Sequence, residues 1–383
     1  MKIFSAAIGV SIACVALSTA LAQTPPPAPD PAQSAPAAAP GNPPTKSPLT
    51  QFGTDFSFLF DGYADKNFNN PDSGVNQLHN FDVRANTLHV NQGMITLDHG
   101  PAPIGFHLEA GFGQMFHIIH GTERFPDEAD YIKQAYVSFK PKSWKGLQLD
   151  VGKFVTSAGA EVIESNGNWN YTRSILFAWA IPYYHFGLRT SFPVGSHFTG
   201  GFQLVNGWNN VKDNNSGKTI GFTGAYAWKK VTWSNNYYAG PEHDHTNKGW
   251  RQVYDTTVLI NSSDKLSTYI NFDYGRDKDP LGGPASQWAG IAAATRYAIT
   301  SKAAIAGRVE YFNDIDGFST GVTQKLSEYT LTGEYKLASW LTSRLEFRQD
   351  FSNQYFFEKE HGQSVKSQPV LVFGLMAFIG PKK

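Results

Sequence analysis

A single cysteine, Cys14, stands in 383 residues. It falls in an N-terminal segment expected to be removed, so disulfide frameworks and thiol chemistry are excluded for the remainder. Net charge is also missing: 32 basic and 32 acidic residues balance. A nucleic-acid partner, which would want a basic face, is therefore not expected. Beyond the N-terminus no apolar run approaches the roughly 18 residues that a membrane helix needs. The longest, Val370 to Gly380, has the length of a membrane-crossing strand. No Gly-x-Ser-x-Gly elbow appears, which removes one common hydrolase arrangement. Leucine is scarce, whereas Phe, Tyr, Trp, Gly, Asn and Thr are plentiful, the types that favour strands and turns.

The first residues read as an export signal. Met1-Lys2 precede an apolar stretch, and Ala20-Leu21-Ala22 forms an A-x-A cleavage pattern, placing a signal peptide over 1–22. Residues 23–51 follow as an arm rich in Pro and Ala, without enough apolar side chains to bury a core. This arm is expected to be disordered, partly polyproline II, and to lie in the periplasm as a spacer or a tether. The third unit, 52–383, changes character and keeps it.

In that unit, segments of about 9 to 14 residues alternate apolar and polar, the period of a strand with one greasy face. Phe56, Phe58 and Phe60 alternate with Ser57, Leu59 and Asp61. Leu341, Leu345, Phe347 and Phe351 oppose Arg344, Glu346, Arg348 and Asp350. About sixteen such segments are expected: 53–66, 78–98, 104–118, 130–140, 146–156, 183–192, 197–208, 218–228, 231–239, 250–261, 265–276, 287–299, 303–313, 325–337, 340–351 and 368–380. The connections alternate short (229–230, 338–339) and long (157–182, 352–366) in unbroken phase. Tight periplasmic turns, long outer loops and an even strand number define an outer-membrane barrel of a Gram-negative bacterium. Trp144, Trp228, Trp233 and Trp340 fall beside short turns; Tyr237, Tyr254, Tyr274, Tyr311, Tyr329 and Phe351 fall toward long loops. Two aromatic girdles, one per interface, are expected. The fold class is thus all-β, a transmembrane antiparallel up-and-down barrel of about 16 strands.

The greasy row must face outer-membrane lipid, because an Arg or Lys at the bilayer midplane costs roughly 2–4 kcal/mol. That puts Glu109, Asp150, Arg189, Arg296, Arg308, Arg344, Glu346 and Arg348 inside, as the expected pore lining, with Asp255, Asp273, Glu310, Glu328 and Glu334 on the same face. A barrel of that width is too wide for side chains alone to fill, so an aqueous lumen follows. The longest loop carries Glu161, Glu164 and Arg173. By analogy with general porins it folds inward as a constriction, its two glutamates facing Arg308, Arg344 and Arg348 across a gap. A loop lying over the mouth as a lid is the competing arrangement.

Residues 52 to the C-terminus resemble the OmpL-like β-barrel porin family. The resemblance rests on Phe81-Asp82-Val83-Arg84-Ala85-Asn86-Thr87, Pro103-Ile104-Gly105-Phe106-His107-Leu108, Gly152-Lys153-Phe154-Val155, Glu161-Val162-Ile163-Glu164 with Asn168-Trp169, Ser174-Ile175-Leu176-Phe177 with Pro182, and Val205-Asn206-Gly207-Trp208-Asn209. It implies an outer-membrane pore for small hydrophilic solutes and ions, no catalytic residues and no cofactor. A homotrimer is expected by analogy alone. Two other classes stay open: a structural or adhesive barrel with a blocked lumen, and an outer-membrane enzyme. For the last, Glu242-His243-Asp244-His245 offers metal-ligand types, though such adjacent residues seldom converge on one ion. Trp169, Tyr171 and Trp179 suit either a sugar-binding slide or anchors for their loop.

Overall fold

The computed structural model describes residues 49–123 and 130–381. The expected signal peptide and nearly all of the Pro/Ala-rich arm lie outside the described residues. Sixteen strands build one sheet. They are β1 (Thr54–Asn67), β2 (Leu88–His99), β3 (Ile104–Phe112), β4 (Ile132–Phe139), β5 (Gln148–Val155), β6 (Tyr184–Val194), β7 (Phe198–Val205) and β8 (Thr219–Trp228). The second half comprises β9 (Val231–Pro241), β10 (Trp250–Asn261), β11 (Leu266–Lys278), β12 (Ala285–Ala298), β13 (Ala303–Asp314), β14 (Gln324–Ala338), β15 (Leu341–Ser352) and β16 (Ser367–Ile379). Each strand pairs antiparallel with the next. β16 returns to β1, from Val370 opposite Asn67 to Ile379 opposite Phe58, and the sheet closes. Among the described residues, closure leaves the barrel sheet without an unpaired edge, the condition for placing a sheet in hydrocarbon. Thr50–Gln51 adds a two-residue pairing beside β1, so the last residues of the expected arm are part of the fold.

The period-two pattern sets which way side chains point. On β14, Leu326, Glu328, Thr330 and Thr332 are buried, while Ser327, Tyr329 and Leu331 are exposed. Phe58, Ile95, Phe222, Ile291, Leu345 and Phe373 continue the apolar outer face. The exposed Trp144, Trp228 and Trp233 mark the short-turn end, and Tyr237, Tyr254, Tyr274, Tyr311, Tyr329 and Phe351 mark the other. Trp340 also edges the lumen. No helix among the described residues is long and apolar enough to cross a membrane.

Every expected segment contains one strand, but two run too long. Segment 78–98 becomes strand only at Leu88, and segment 104–118 stops at Phe112. The cause is the same in both. Residues 68–87 form a folded loop, pinned by Asn67 Nδ2 to Asn76 Oδ1 at 2.9 Å and by a Val75–Arg84 bridge. Its Leu78 and Phe81 turn into the barrel. Gly113, at φ 118°, breaks the next strand and starts α1 (Gln114–Ile119), which buries Met115, Phe116 and Ile119. With Ile175, Leu176 and Phe177 of α2 (Ile175–Trp179), and with Trp288, Phe312 and Leu326 from the walls, these side chains form an apolar core inside the lumen.

Candidate pore and its inward loop

Loop 156–183 enters the barrel and lies along the inner wall of β9–β15. Such a loop has few backbone partners of its own, and a buried N–H or C=O left unpaired is costly. The wall supplies the partners. Asn236 donates to Ser157 O at 3.0 Å, and Ala160 N donates to Asn271 at 3.1 Å. Glu346 accepts the amides of Tyr171 (2.6 Å) and Thr172 (2.9 Å). Glu310 accepts those of Ile175 (2.7 Å) and Leu176 (3.1 Å), while Ser174 caps α2 through Phe177 N at 3.0 Å. Arg344 donates to Ser165 O (2.6 Å), Asn168 O (2.5 Å) and Asn170 O (3.0 Å), and Arg348 to Arg173 O at 2.7 Å. The bonds to Glu310, Glu346, Arg344 and Arg348 are charge-assisted, and with the two asparagine contacts they tie the loop to the wall along most of its length.

The expected site residues therefore divide. Arg308, Arg344, Glu346 and Arg348 do point inward, but the loop covers them and they are buried. Glu161 meets Arg308 directly at 2.8 Å, leaving no gap between them. Arg344 and Arg348 hold loop carbonyls and face neither glutamate across a channel. Arg173 is wholly buried, donating to the carbonyls of Val162, Tyr171 and Ile163 and lying 5.0 Å over Phe81. It folds the loop and does not line a pore. Arg296 pairs with Glu334 at 2.8 Å near the short-turn end, and Glu334 also takes Arg344. Asp150 sits behind Arg189 at 2.8 Å. Of the expected set, Glu109, Glu161, Glu164 and Arg189 line open space.

Glu164 reaches away from the arginine wall. It forms an ion pair with Lys133 of β4, whose ammonium also meets Glu109 at 2.6 Å. The loop is thus clamped to β13–β15 on one side and bridged to β4 on the other. Lys133 escaped the sequence reading because the β3–β4 register shifts there, Glu109 pairing with Gln134 and Ala110 with Ile132. Lys133 is the extra residue of that bulge, so Lys133 and Gln134 are both buried although adjacent. The signal is faint: two neighbouring polar residues inside an alternating row.

Below the loop, at the short-turn end, lies a cavity of ≈ 940 Å³. Its rim includes Asp55, Asp98, Trp340 and Phe378, and its ceiling includes Ile163 and Phe177. A chain of charged groups climbs one wall. Asp98 meets His107 Nδ1 at 2.8 Å, His107 Nε2 meets Glu109 at 3.3 Å, and Lys133 carries the chain on to Glu164. Burial pushes the Tyr183 phenol, also on the cavity, up to about 12. At the opposite end, His79 of loop 68–87 sits between Asp82 (2.5 Å) and Asp350 (3.1 Å). Burial and the nearby Arg348 oppose its protonation, but the two carboxylates outweigh them and its pKa rises to about 9.

The aromatic residues of the inward loop act as anchors. Trp169 packs on Tyr269 with centroids 5.1 Å apart, Tyr171 donates to Asp61 at 2.9 Å, and Trp179 donates to Leu78 O at 3.3 Å. Glu242, His243 and Asp244 diverge: Glu242 accepts from Thr219 and Trp208 N, His243 meets Asp277, and Asp244 accepts from Asn214. Among the described residues no three His, Cys, Asp or Glu side chains converge as metal ligands.

Solved structures of a porin and of other bacterial proteins share this architecture at low sequence identity. An anion-selective porin from Comamonas acidovorans is similar with a TM-score of 0.57 and 9% identity, over 85% of this chain and 99% of its own. The trimer form of OmpT, an outer membrane protein of Vibrio cholerae, gives 0.54 and 12%, over 85% and 99%. OprB of Pseudomonas putida gives 0.52 and 11%, over 85% and 94%. At these identities the likeness concerns the fold alone. No curated protein matches the chain. The family model described as "Putative beta-barrel porin-2, OmpL-like" matches residues 53–379. A closed sixteen-strand barrel with an inward third loop, matched over nearly its whole length, makes this chain an outer-membrane protein belonging to that porin family.

Proposed function

We propose that the protein is a narrow, non-enzymatic porin that lets small hydrophilic solutes and ions diffuse passively across the outer membrane. The observation that carries this reading is the ≈ 940 Å³ cavity inside a closed barrel, with Glu109, Lys133 and Arg189 of the walls and Glu161 and Glu164 of the inward loop on its surface. Mixed-sign groups facing a confined aqueous space order ions and polar solutes. In this reading the short-turn end, with the cavity mouth, faces the periplasm after cleavage near Ala22, and the Pro/Ala-rich arm leaves the barrel there. The barrel is taken to assemble as three copies, in keeping with the trimer form solved for OmpT of Vibrio cholerae.

A refolded barrel in a planar bilayer under a salt gradient tests the proposal. Discrete ohmic steps support it, and the reversal potential gives the preferred ion sign. A correctly folded barrel that stays silent overturns it. One observation favours that second reading, a plugged structural barrel: the apolar core of Phe81, Met115, Phe116, Leu176, Phe177 and Trp288 occupies the lumen beyond the cavity.

A further inference from the structure

We infer that the cavity is a binding site for amphipathic organic cations, molecules that join an apolar ring or chain to an ammonium group. Three features of one space point to this. First, its volume of ≈ 940 Å³ is that of sites that hold molecules of a few hundred daltons. Second, its ceiling is the underside of the apolar core: Leu59, Met94, Ile163, Phe177 and Tyr183 belong to both. Burying an apolar group there removes its surface from water without displacing a polar partner. Third, the charge on the lining is lopsided. The carboxylates Asp55, Asp98, Glu109, Glu161 and Glu164 share the space with two permanent cations, Lys133 and Arg189. Lys133 balances Glu109 and Glu164, Arg189 balances Asp150, Arg308 balances Glu161, and His107 lies between Asp98 and Glu109, so the excess acidity is concentrated at the rim on Asp55 and Asp98.

The two halves of the site are also placed for one molecule. The apolar surface is deep, against the inward loop, whereas Asp55 and Asp98 lie at the rim beside Trp340 and Phe378. The rim is open: the Trp340 side chain is 49% exposed and Phe378 is 42% exposed. A ring would insert first and leave its ammonium among carboxylates and over aromatic faces, where cations are attracted. An anion of the same shape would meet the same carboxylates and be repelled. The inference goes beyond conduction, since binding needs only the space beneath the loop.

The full-length refolded barrel in non-ionic detergent is titrated calorimetrically with benzyltrimethylammonium. Benzenesulfonate and benzyl alcohol serve as the anionic and neutral counterparts. Saturable binding of one cation per barrel is expected, with none for the anion. The double variant Asp55→Asn/Asp98→Asn removes rim charge without touching the inward loop and should weaken the cation by about fivefold to tenfold. Heat-dependent gel migration confirms that the variant is folded. If the double variant misfolds, Asp98→Asn alone, at a half-exposed side chain, should still weaken the cation measurably. Benzyl alcohol binding as well as the cation, or variants that bind unchanged, would overturn the assignment. So would the absence of any saturable heat with the unaltered barrel. A silent bilayer bears on the proposed conduction only and leaves this binding result standing.

Discussion

Arg308 is a buried guanidinium whose donors reach Glu161 and Glu328 at 2.8 and 2.9 Å and Thr172 O at 2.7 Å. Removing one partner of a buried pair strands the other charge, at a cost of roughly 3–5 kcal/mol. Arg308→Ala should therefore lower the unfolding free energy of the refolded barrel by that order, shifting its urea midpoint downward, and expose the inward loop to limited proteolysis. An unchanged midpoint with a resistant loop would remove Arg308 from this role. His79 behaves differently, because its charge depends on pH. Its pKa is near 6.5 when unfolded and about 9 when held by Asp82 and Asp350. The stabilisation it contributes is fully present below about 6.5 and fades as pH climbs through 9, a difference of roughly 3 kcal/mol. The unaltered protein should lose stability between pH 6 and 10, and His79→Gln should flatten that loss. The alternation of Leu341 to Phe351 makes the inward direction of Arg344 and Arg348 legible in the sequence. Their partners are not legible, because Arg348 meets Arg173 O across 175 positions and no local pattern records such a contact.

At the scale of the element, the inward loop depends on small residues in the wall. A Cβ on Gly374 of β16 would sit 2.2 Å from the Tyr171 ring. The glycine leaves room for that ring against the strand, where the Tyr171 hydroxyl donates to Asp61. Gly374→Val should lift the loop, cost roughly 1–3 kcal/mol by overpacking and raise single-channel conductance. Conductance unaltered in a folded variant would show that the loop does not limit the passage. The bridge on the other side makes a matching case. Lys133→Gln releases Glu164 and should shift the reversal potential toward cations, since it deletes a positive charge from the lining. The presence of a long third loop with acidic residues is readable in 157–182, but its path is not. Segments 78–98 and 104–118 misled for a related reason. Leu78, Phe81, Met115 and Phe116 are apolar because they pack inside the lumen, and alternation alone cannot tell that interior from the lipid-facing row.

The whole molecule is where the sequence is most transparent. Sixteen alternating segments separated by turns in strict short–long phase give strand number, order and closure, since consecutive hairpins leave little choice of partner. Lipid enforces this by requiring one face of every strand to be apolar. Leu331 is the middle residue of β14 and is 62% exposed outward. Leu331→Arg should destabilise the barrel by roughly 2–4 kcal/mol in urea titrations from phospholipid vesicles. An effect near zero would mean that β14 is shifted relative to the bilayer or covered by a partner.

The seam between β16 and β1 carries a further consequence. Asn67 and Val370 are neighbours in space, yet 303 positions separate them in the chain. Until the last strand arrives, the first has no partner on that side, and both sheet edges would face hydrocarbon with their amides and carbonyls unmet. A copy lacking the 13 residues of β16 is therefore no slightly smaller barrel but an open sheet that the membrane rejects. Closure would then act as a proofreading step: a chain lacking either end of the seam is expected to fail to become resident, which a membrane-fractionation assay of a truncation before Ser367 would check.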